Sequence, residues 1–474
     1  MAGATEAVRA PAGALSLGGI LVLALGTFEF SLEQSIVLPA LPAIAEHYRA
    51  SLVATGWMVT GFLLSGIVAV PVLGRLGDLY GKRRLLLAAL GAFAVGSLIC
   101  ALADSIGVVI AGRIVQGIGA AVGPLSYGVA KDSISPERLP RAIGVIVAGA
   151  MGGASVGYVL SGVLVDRLSV TAVFWFLLAV GVALGVAATA LIPESPVRAR
   201  AWVDAWGATL LALGLAALLL AISKGIDWGW SSGRVLGLFV AAAALLGAFA
   251  VVERSVAQPL VDLGVVVRRP FANANLCAFA FGYAFFIVAL ALPFIGAMPE
   301  GHGPGLGLST TEIGLLLLPT GLASMVGGWA GGRWANRMGA RTLVVIGCAL
   351  GIAAYAGLAL IGLGALALAV ASAVLGLSWG FILTGIYAVV VGSASPDKSG
   401  VTVAVNVLIR NTAGALGAQI AFVIIAEAAS EDGGGLESGF TNAFVMGAVG
   451  AGVALVASAF LRGRGAVPQP AGGA

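Results

Sequence analysis

Two carboxylates, Glu29 and Glu33, stand four positions apart in an apolar stretch near the start of the chain. At helical spacing they share one face. An ionisable group held at membrane depth is expensive and marks a functional site by default. Two like charges one turn apart repel, so this pair is suited to loading and releasing a proton. Arg113 lies about six residues inside another apolar stretch, roughly 9 Å deep by helical rise. A guanidinium keeps its proton in proteins, so it must pair or hydrogen-bond. Glu33 falls in the same layer and is the expected partner; the alternative role for Arg113 is a fixed tie between two helices. Arg410 sits in the second half of the chain with Asn406 one turn before it. That half has no acid at mid-depth, which leaves Arg410 carbonyls, Asn side chains or an anionic substrate.

Other chemistry is missing. Cys100, Cys277 and Cys348 follow no ligand spacing and sit in apolar runs, which argues against a disulfide framework or a metal site. His47 and His302 fall in loops, so no histidine relay is available. There is no G-x-x-x-x-G-K-[ST] loop for a nucleotide-driven pump. A membrane transferase would need acidic clusters for a metal–diphosphate or a His–Asp pair at one face, and neither occurs. The reading is a non-enzyme with no catalytic residues, metal or cofactor. Candidate substrate-lining aromatics are Trp57, Tyr158, Tyr283, Phe286 and Trp379.

Composition dictates the elements that must position these groups. Of 474 residues, 60% are hydrophobic and 10% charged. A soluble chain carries about 25% charged residues. The 71 glycines are spread through apolar runs, which suits close helix packing in lipid. Barrel-type alternation is absent. An all-α integral membrane protein remains, with the lipid bilayer as its solvent and no nucleic-acid partner. A spanning helix needs about 20 apolar residues. Fourteen such stretches are expected: 15–45, 53–73, 84–103, 107–130, 142–165, 170–192, 203–223, 234–252, 272–295, 311–331, 342–362, 365–391, 402–427 and 440–461. The uncharged run from Leu343 to Gly392 is far too long for one span, and the break is expected near Gly362-Leu363-Gly364.

With the N-terminus cytoplasmic, nineteen of the 25 Lys and Arg residues fall inside, four outside and two within helices. That satisfies the positive-inside rule with both termini cytoplasmic. Two of the inside loops match. Gly74-Arg75-Leu76-Gly77-Asp78-Leu79-Tyr80-Gly81-Lys82-Arg83-Arg84 and Gly332-Arg333-Trp334-Ala335-Asn336-Arg337-Met338-Gly339-Ala340-Arg341 both read G-R-x-x-[DN]-x-x-G-x-R. Parallel repeats of this kind mark transporters whose halves pack about the membrane normal. The register between them leaves room for two extra spans. The division is 1–192, a six-helix bundle; 193–269, a linker with two additional spans; and 270–474, a second six-helix bundle with a short tail.

These residues resemble the major facilitator superfamily, in its fourteen-helix drug:proton antiporter branch. Gly74–Arg84 resembles the signature G-x-x-x-D-x-x-G-x-[RK]-[RK] between helices two and three. Arg113-Ile114-Val115-Gln116-Gly117-Ile118-Gly119 resembles the fourth-helix R-x-x-Q-G-x-G. Leu32-Glu33-Gln34-Ser35-Ile36-Val37 with Ala40-Leu41-Pro42 resembles the first-helix L-D-x-T-x-V…A-L-P, Glu replacing Asp. Asp204-Ala205-Trp206-Gly207 and Gln258-Pro259-Leu260-Val261-Asp262-Leu263 resemble the landmarks around the two extra helices. The fifth-helix antiporter signature departs: Gly149, Gly153, Gly157 and Gly162 keep its spacing, but Tyr158 replaces Pro and Ser161 a Gly.

The resemblance implies a monomeric, multi-pass cell-membrane carrier driven by the proton gradient. It would export hydrophobic or amphipathic, including cationic, small molecules by alternating access. The alternative is a proton-coupled carrier of an anionic metabolite, in either direction. Glu33, Glu29 and Arg113 would couple protons. Gly74, Asp78, Gly81, Arg83 and Arg84 would form a gating loop in which Asp78 latches the halves. Asn406 and Arg410 are the candidates in the second half. All four ionisable groups at depth are expected to face shared water.

Overall fold

The computed structural model describes residues 15–135, 138–194, 204–256, 271–300, 304–361, 363–393, 399–430 and 435–461, with single positions 259, 264 and 269. The landmark residues Gln258 and Leu260–Leu263 and the loop residue His302 lie outside these. Every described backbone segment of spanning length is helical, because lipid offers no partner to an exposed N–H or C=O. Fourteen helices are long and apolar enough to cross a membrane. They are α1 Leu17–His47, α2 Leu52–Tyr80, α3 Lys82–Ala101, α4 Ile106–Ser133, α5 Leu139–Arg167, α6 Ala172–Leu191 and α7 Ala205–Trp228. They continue as α8 Gly233–Ser255, α9 Phe271–Ala297, α10 Thr310–Met338, α11 Ala340–Ile361, α12 Ala365–Ser393, α13 Ser399–Ser430 and α14 Gly435–Ala459. Each expected span is matched by one helix, with ends displaced by several residues. The long uncharged run breaks between Ile361 and Ala365, where the break was expected.

The repeated motif becomes a repeated hinge. Helix α2 runs on to Tyr80 and α10 to Met338; in each, a single glycine turns the chain into the next helix. Gly81 has φ 108° and Gly339 φ 82°, a region L side chains rarely adopt. Gly74 is therefore not a loop residue, as expected from sequence, but lies inside α2. The helix persists because its backbone bonds remain unbroken as far as the Gly81 N–H, which donates to Gly77 O.

Helices α1–α6 pack among themselves, as do α9–α14. The two sets meet chiefly along α5 with α10 and α2 with α13, with α1 touching α9 and α10. The extra pair is peripheral. Helix α7 packs on both α2 and α13, while α8 has its extensive packing with α7 alone. Trp57 of α2 donates its indole N–H to Ser223 Oγ of α7 at 2.8 Å.

The glycine ladder of α5 explains the main packing. A Cβ on Gly149, Gly153 or Gly157 would fall 2.4, 2.2 and 2.0 Å from Ala24 O, Phe28 O and Ser35 Oγ of α1. Small residues every fourth position thus bring two backbones together, the packing device of lipid-embedded helices. Gly162, on another face of α5, meets the Thr311 backbone of α10, and Gly314 of α10 meets Tyr158 O.

Candidate functional site

Glu33 and Arg113 meet inside the first helix set. Arg113 Nη1 donates to Glu33 Oε1 at 2.8 Å and to Gln116 Oε1 at 2.9 Å, and its Nε donates to Met58 O at 3.2 Å. The guanidinium carbon stands 4.3 Å from the Phe62 ring centroid. Gln116 Nε2 then donates to Ser97 Oγ at 2.8 Å. The network thus ties α1, α2, α3 and α4. Arg113 is reachable by Glu33 because α1 and α4 run antiparallel, which puts both in one layer. Glu33 is 0% and Arg113 1% exposed. Such a pair survives burial only when its remaining donors and acceptors are largely filled. Arg113 meets that condition; Glu33 Oε2 has no hydrogen-bond partner among the described residues.

Glu29 lies one turn away on α1 and is 2% exposed. It packs toward α3 and α6: a Cβ on Gly181 would be 3.0 Å from Glu29 Oε1, and Phe93 closes the same space. That oxygen too lacks a hydrogen-bond partner among the described residues. The expectation that all four buried ionisable groups face shared water is therefore corrected. Glu29, Glu33 and Arg113 point away from the boundary between the helix sets, into the interior of the first. The face of α1 bearing Leu38 is the one turned to the boundary.

Arg410 is different. It is half-buried, and its Nη1 donates to Tyr387 Oη of α12 at 3.0 Å. Its guanidinium carbon lies 5.4 Å from the Trp379 ring centroid, and the Trp379 ring lies 4.1 Å from that of Phe285 of α9, tilted by 33°. Asn406 was expected to serve Arg410. It is instead fully buried and donates to Asn275 Oδ1 of α9 at 3.0 Å.

The aromatic candidates divide. Tyr158 lines a small void between the sets with Leu38, Phe285, Leu292, Leu317 and Thr320. Phe286 packs edge-on to Phe285 and against Gly414. Trp379 belongs to the Arg410 cluster. Trp57 faces α7 rather than the centre, drawn there by its bond to Ser223. Tyr283 faces α14, where its hydroxyl is 4.0 Å from Met446 Sδ. Of the residues now prominent, Gln116 and Ser97 could be found only partly: Gln116 is one turn from Arg113, but nothing in the sequence marks Ser97.

At the basic face, the expected latch by Asp78 between halves is not what Asp78 makes. It lies 3.6 Å from Lys82 one turn on, and Lys82 Nζ also holds Asp132 of α4 at 2.7 Å. Arg83 donates to Thr189 O and Arg84 lies 3.5 Å from Glu194, both at the end of α6. These contacts all fall within the first set, because the Gly81 turn aims the basic residues back over α4 and α6. Arg75, by contrast, reaches Pro259 O in the linker at 3.2 Å. The side chain of Asn336, the counterpart of Asp78, lies outside the described residues.

The close approaches between the sets lie away from that basic face. Gly162 with Thr311 is at the opposite end of the helices, followed by Gly314 with Tyr158, and Gly321 with Ser155 near mid-depth. Thr310 and Thr311 donate their backbone N–H groups to Asp166 at 3.2 and 2.7 Å, so a carboxylate of α5 caps the start of α10. On the other side, Gly56 abuts Phe422 and Thr60 Oγ1 donates to Gln419 Oε1 at 3.4 Å. Toward the basic face α2 and α13 come together through α7, in an apolar cluster of Ile67, Leu211, Leu215 and Val405.

The chain matches the family model described as Major Facilitator Superfamily over residues 23–418. It is 32% identical over 345 residues to an uncharacterized MFS-type transporter of Mycobacterium tuberculosis, covering 69% of this chain and 50% of that protein. It is 29% identical over 418 residues to the tetracenomycin C resistance and export protein of Streptomyces glaucescens, covering 86% and 75%. The chain thus spans half the length of the first relative and three quarters of the second. In solved structures, a POT family peptide transporter superposes with TM-score 0.66 at 15% identity, covering 95% of this chain and 99% of that one. A bacterial homologue of the lysosomal transporter Spinster, inward-facing and unoccupied, also gives 0.66, at 14% identity over 93% and 96%.

Proposed function

This chain belongs to the major facilitator superfamily, whose members are transporters and not enzymes, and from that premise we propose that it is a proton-coupled exporter of hydrophobic or amphipathic small molecules. It works as a monomer in the cell membrane with both termini cytoplasmic, the side on which its cationic loops gather. The rocking bodies are residues 1–192 and 270–474, with 193–269 as a peripheral linker. Relatives named for multidrug resistance and for export of an antibiotic support the substrate class.

The single observation that carries this reading is the placement of Glu33. Helix α1 holds Glu33 against Arg113 on one side and meets α9 and α10 on another. A proton arriving at Glu33 neutralises the carboxylate and weakens its hold on Arg113, which keeps Met58 O and Gln116 as partners. Helix α1 is then free to shift against α4, and any shift is felt at the boundary between the halves. Closure remote from the basic face supports an inward-facing resting state. Alternation follows by rocking the halves about a midplane site.

One proton moving inward down 100 mV supplies about 2.3 kcal/mol. By RT ln K that supports roughly a fiftyfold gradient of a neutral substrate. The test is flux by the purified protein in liposomes under an imposed pH gradient. Wild-type flux is expected to follow the gradient, and Glu33→Gln, which keeps the shape and removes titration, to abolish the coupling. Full flux with no pH or voltage dependence would instead indicate a facilitator. A second reading, transport of an anion, is favoured by the half-buried Arg410.

A further inference from the structure

The two arginines at depth are built differently. Arg113 spends its donors on three acceptors and is sealed from solvent. Arg410 has five N–H donors, and among the described residues one of them is bonded, to Tyr387 Oη. It is half-buried, and no carboxylate lies within ion-pair distance of it among the described residues. Arg410 reaches the boundary between the halves through its aromatic neighbours, Trp379 and then Phe285, which lines the small void there. Beside it stands an aromatic wall: Trp379 lies 4.1 Å from Phe285 and 5.4 Å from Phe281, ring centre to ring centre. Both acids at depth in the first half are turned into its interior, 2% and 0% exposed. The accessible charge at mid-depth is therefore positive.

We infer that this boundary holds an anion site, in which Arg410 seats the carboxylate of an aromatic acid and Trp379 with Phe285 holds its ring. This deepens the transport reading above and rests on it for the direction and driving force, though not for the binding. A carboxylate can take two parallel N–H donors from one guanidinium, a geometry an ammonium or amide cannot reproduce. A cation in the same place would meet a like charge with no acid to offset it. A sugar would find an apolar wall where it needs several polar groups. The aromatic faces suit a planar ring of at least two fused members, stacked or edge-on.

The probes are three naphthalenes of one shape and different charge: 2-naphthoate, 2-naphthamide and 2-naphthylmethylammonium. Affinity for the purified wild-type protein is measured by calorimetry, so the first comparison needs no variant. Naphthoate is expected to bind at least tenfold more tightly than the other two. Arg410→Gln is expected to erase that preference while leaving the amide affinity within twofold, and Arg410→Lys to restore part of it. Equal affinity for all three, tighter binding of the ammonium, or an unchanged preference in Arg410→Gln would each overturn the site. Proton coupling is read separately in liposomes. Naphthoate preference together with pH-insensitive flux would overturn the proton-coupled reading and leave the anion site standing.

Discussion

Replacing Gly314 by Ala is expected to open the seal remote from the basic face. The added methyl would stand 2.2 Å from Tyr158 O and 3.0 Å from Tyr158 C, both backbone atoms of the opposite half. Contacts of a Cβ below 3.0 Å essentially do not occur, so α5 and α10 must part by at least about 0.8 Å at this point. Neither atom belongs to a side chain that could swing aside. Overpacking of this kind typically costs about 1–3 kcal/mol. The strain falls on the closed state alone, so it shifts the balance between states by about 5- to 150-fold. A methyl at Gly162, 2.1 Å from Thr311 Cα, should act the same way. The reporter is a single thiol at Leu38, which is 5% exposed and lines the void beneath Tyr158. The three native cysteines are fully buried, so background labelling is low. A membrane-impermeant thiol reagent is applied from the remote face. Its rate at Leu38→Cys is expected to rise at least fivefold on adding Gly314→Ala. Gly185→Ala, where a methyl meets nothing within 4 Å, is the control. An unchanged labelling rate in Gly314→Ala would refute the claim that this contact seals the remote face.

Three further outcomes are expected. Gly81→Ala should destabilise more than Gly339→Ala in a thermal melt: both hold positive φ, a strain of about 1–3 kcal/mol, but a methyl at Gly81 would also sit 2.4 Å from Glu194 Oε1. Equal melting of the two would count against the Glu194 contact. Trp57→Phe removes one hydrogen bond to Ser223, about 0.5–1.5 kcal/mol; amide exchange should rise in α7 and not in α3. Arg113→Met should lower folded yield, because it breaks a buried ion pair, a loss of about 3–5 kcal/mol. A wild-type yield of monodisperse protein in detergent would contradict the pairing.

The sequence by itself determined much of this protein. Hydrophobic length counts spans whatever they pack against, so fourteen helices and the break before Ala365 were legible. The motif repeated at Gly81 and Gly339 was legible because a positive-φ turn admits little but glycine. Depth along two antiparallel helices was enough to match Glu33 with Arg113. What the tertiary structure decided was direction around each helix axis. In lipid a helix is apolar on every side, so no amphipathic stripe tells which face meets a neighbour. Hence Trp57 and Tyr283 turned to α7 and α14 instead of the centre, and Glu29 turned toward α6. Asn406 and Arg410 share a face of α13, yet packing gives them different surroundings: the first is enclosed with Asn275, the second is half-buried beside Tyr387. Only packing distinguishes an arginine sealed with three acceptors from one half-buried with a single bond among the described residues.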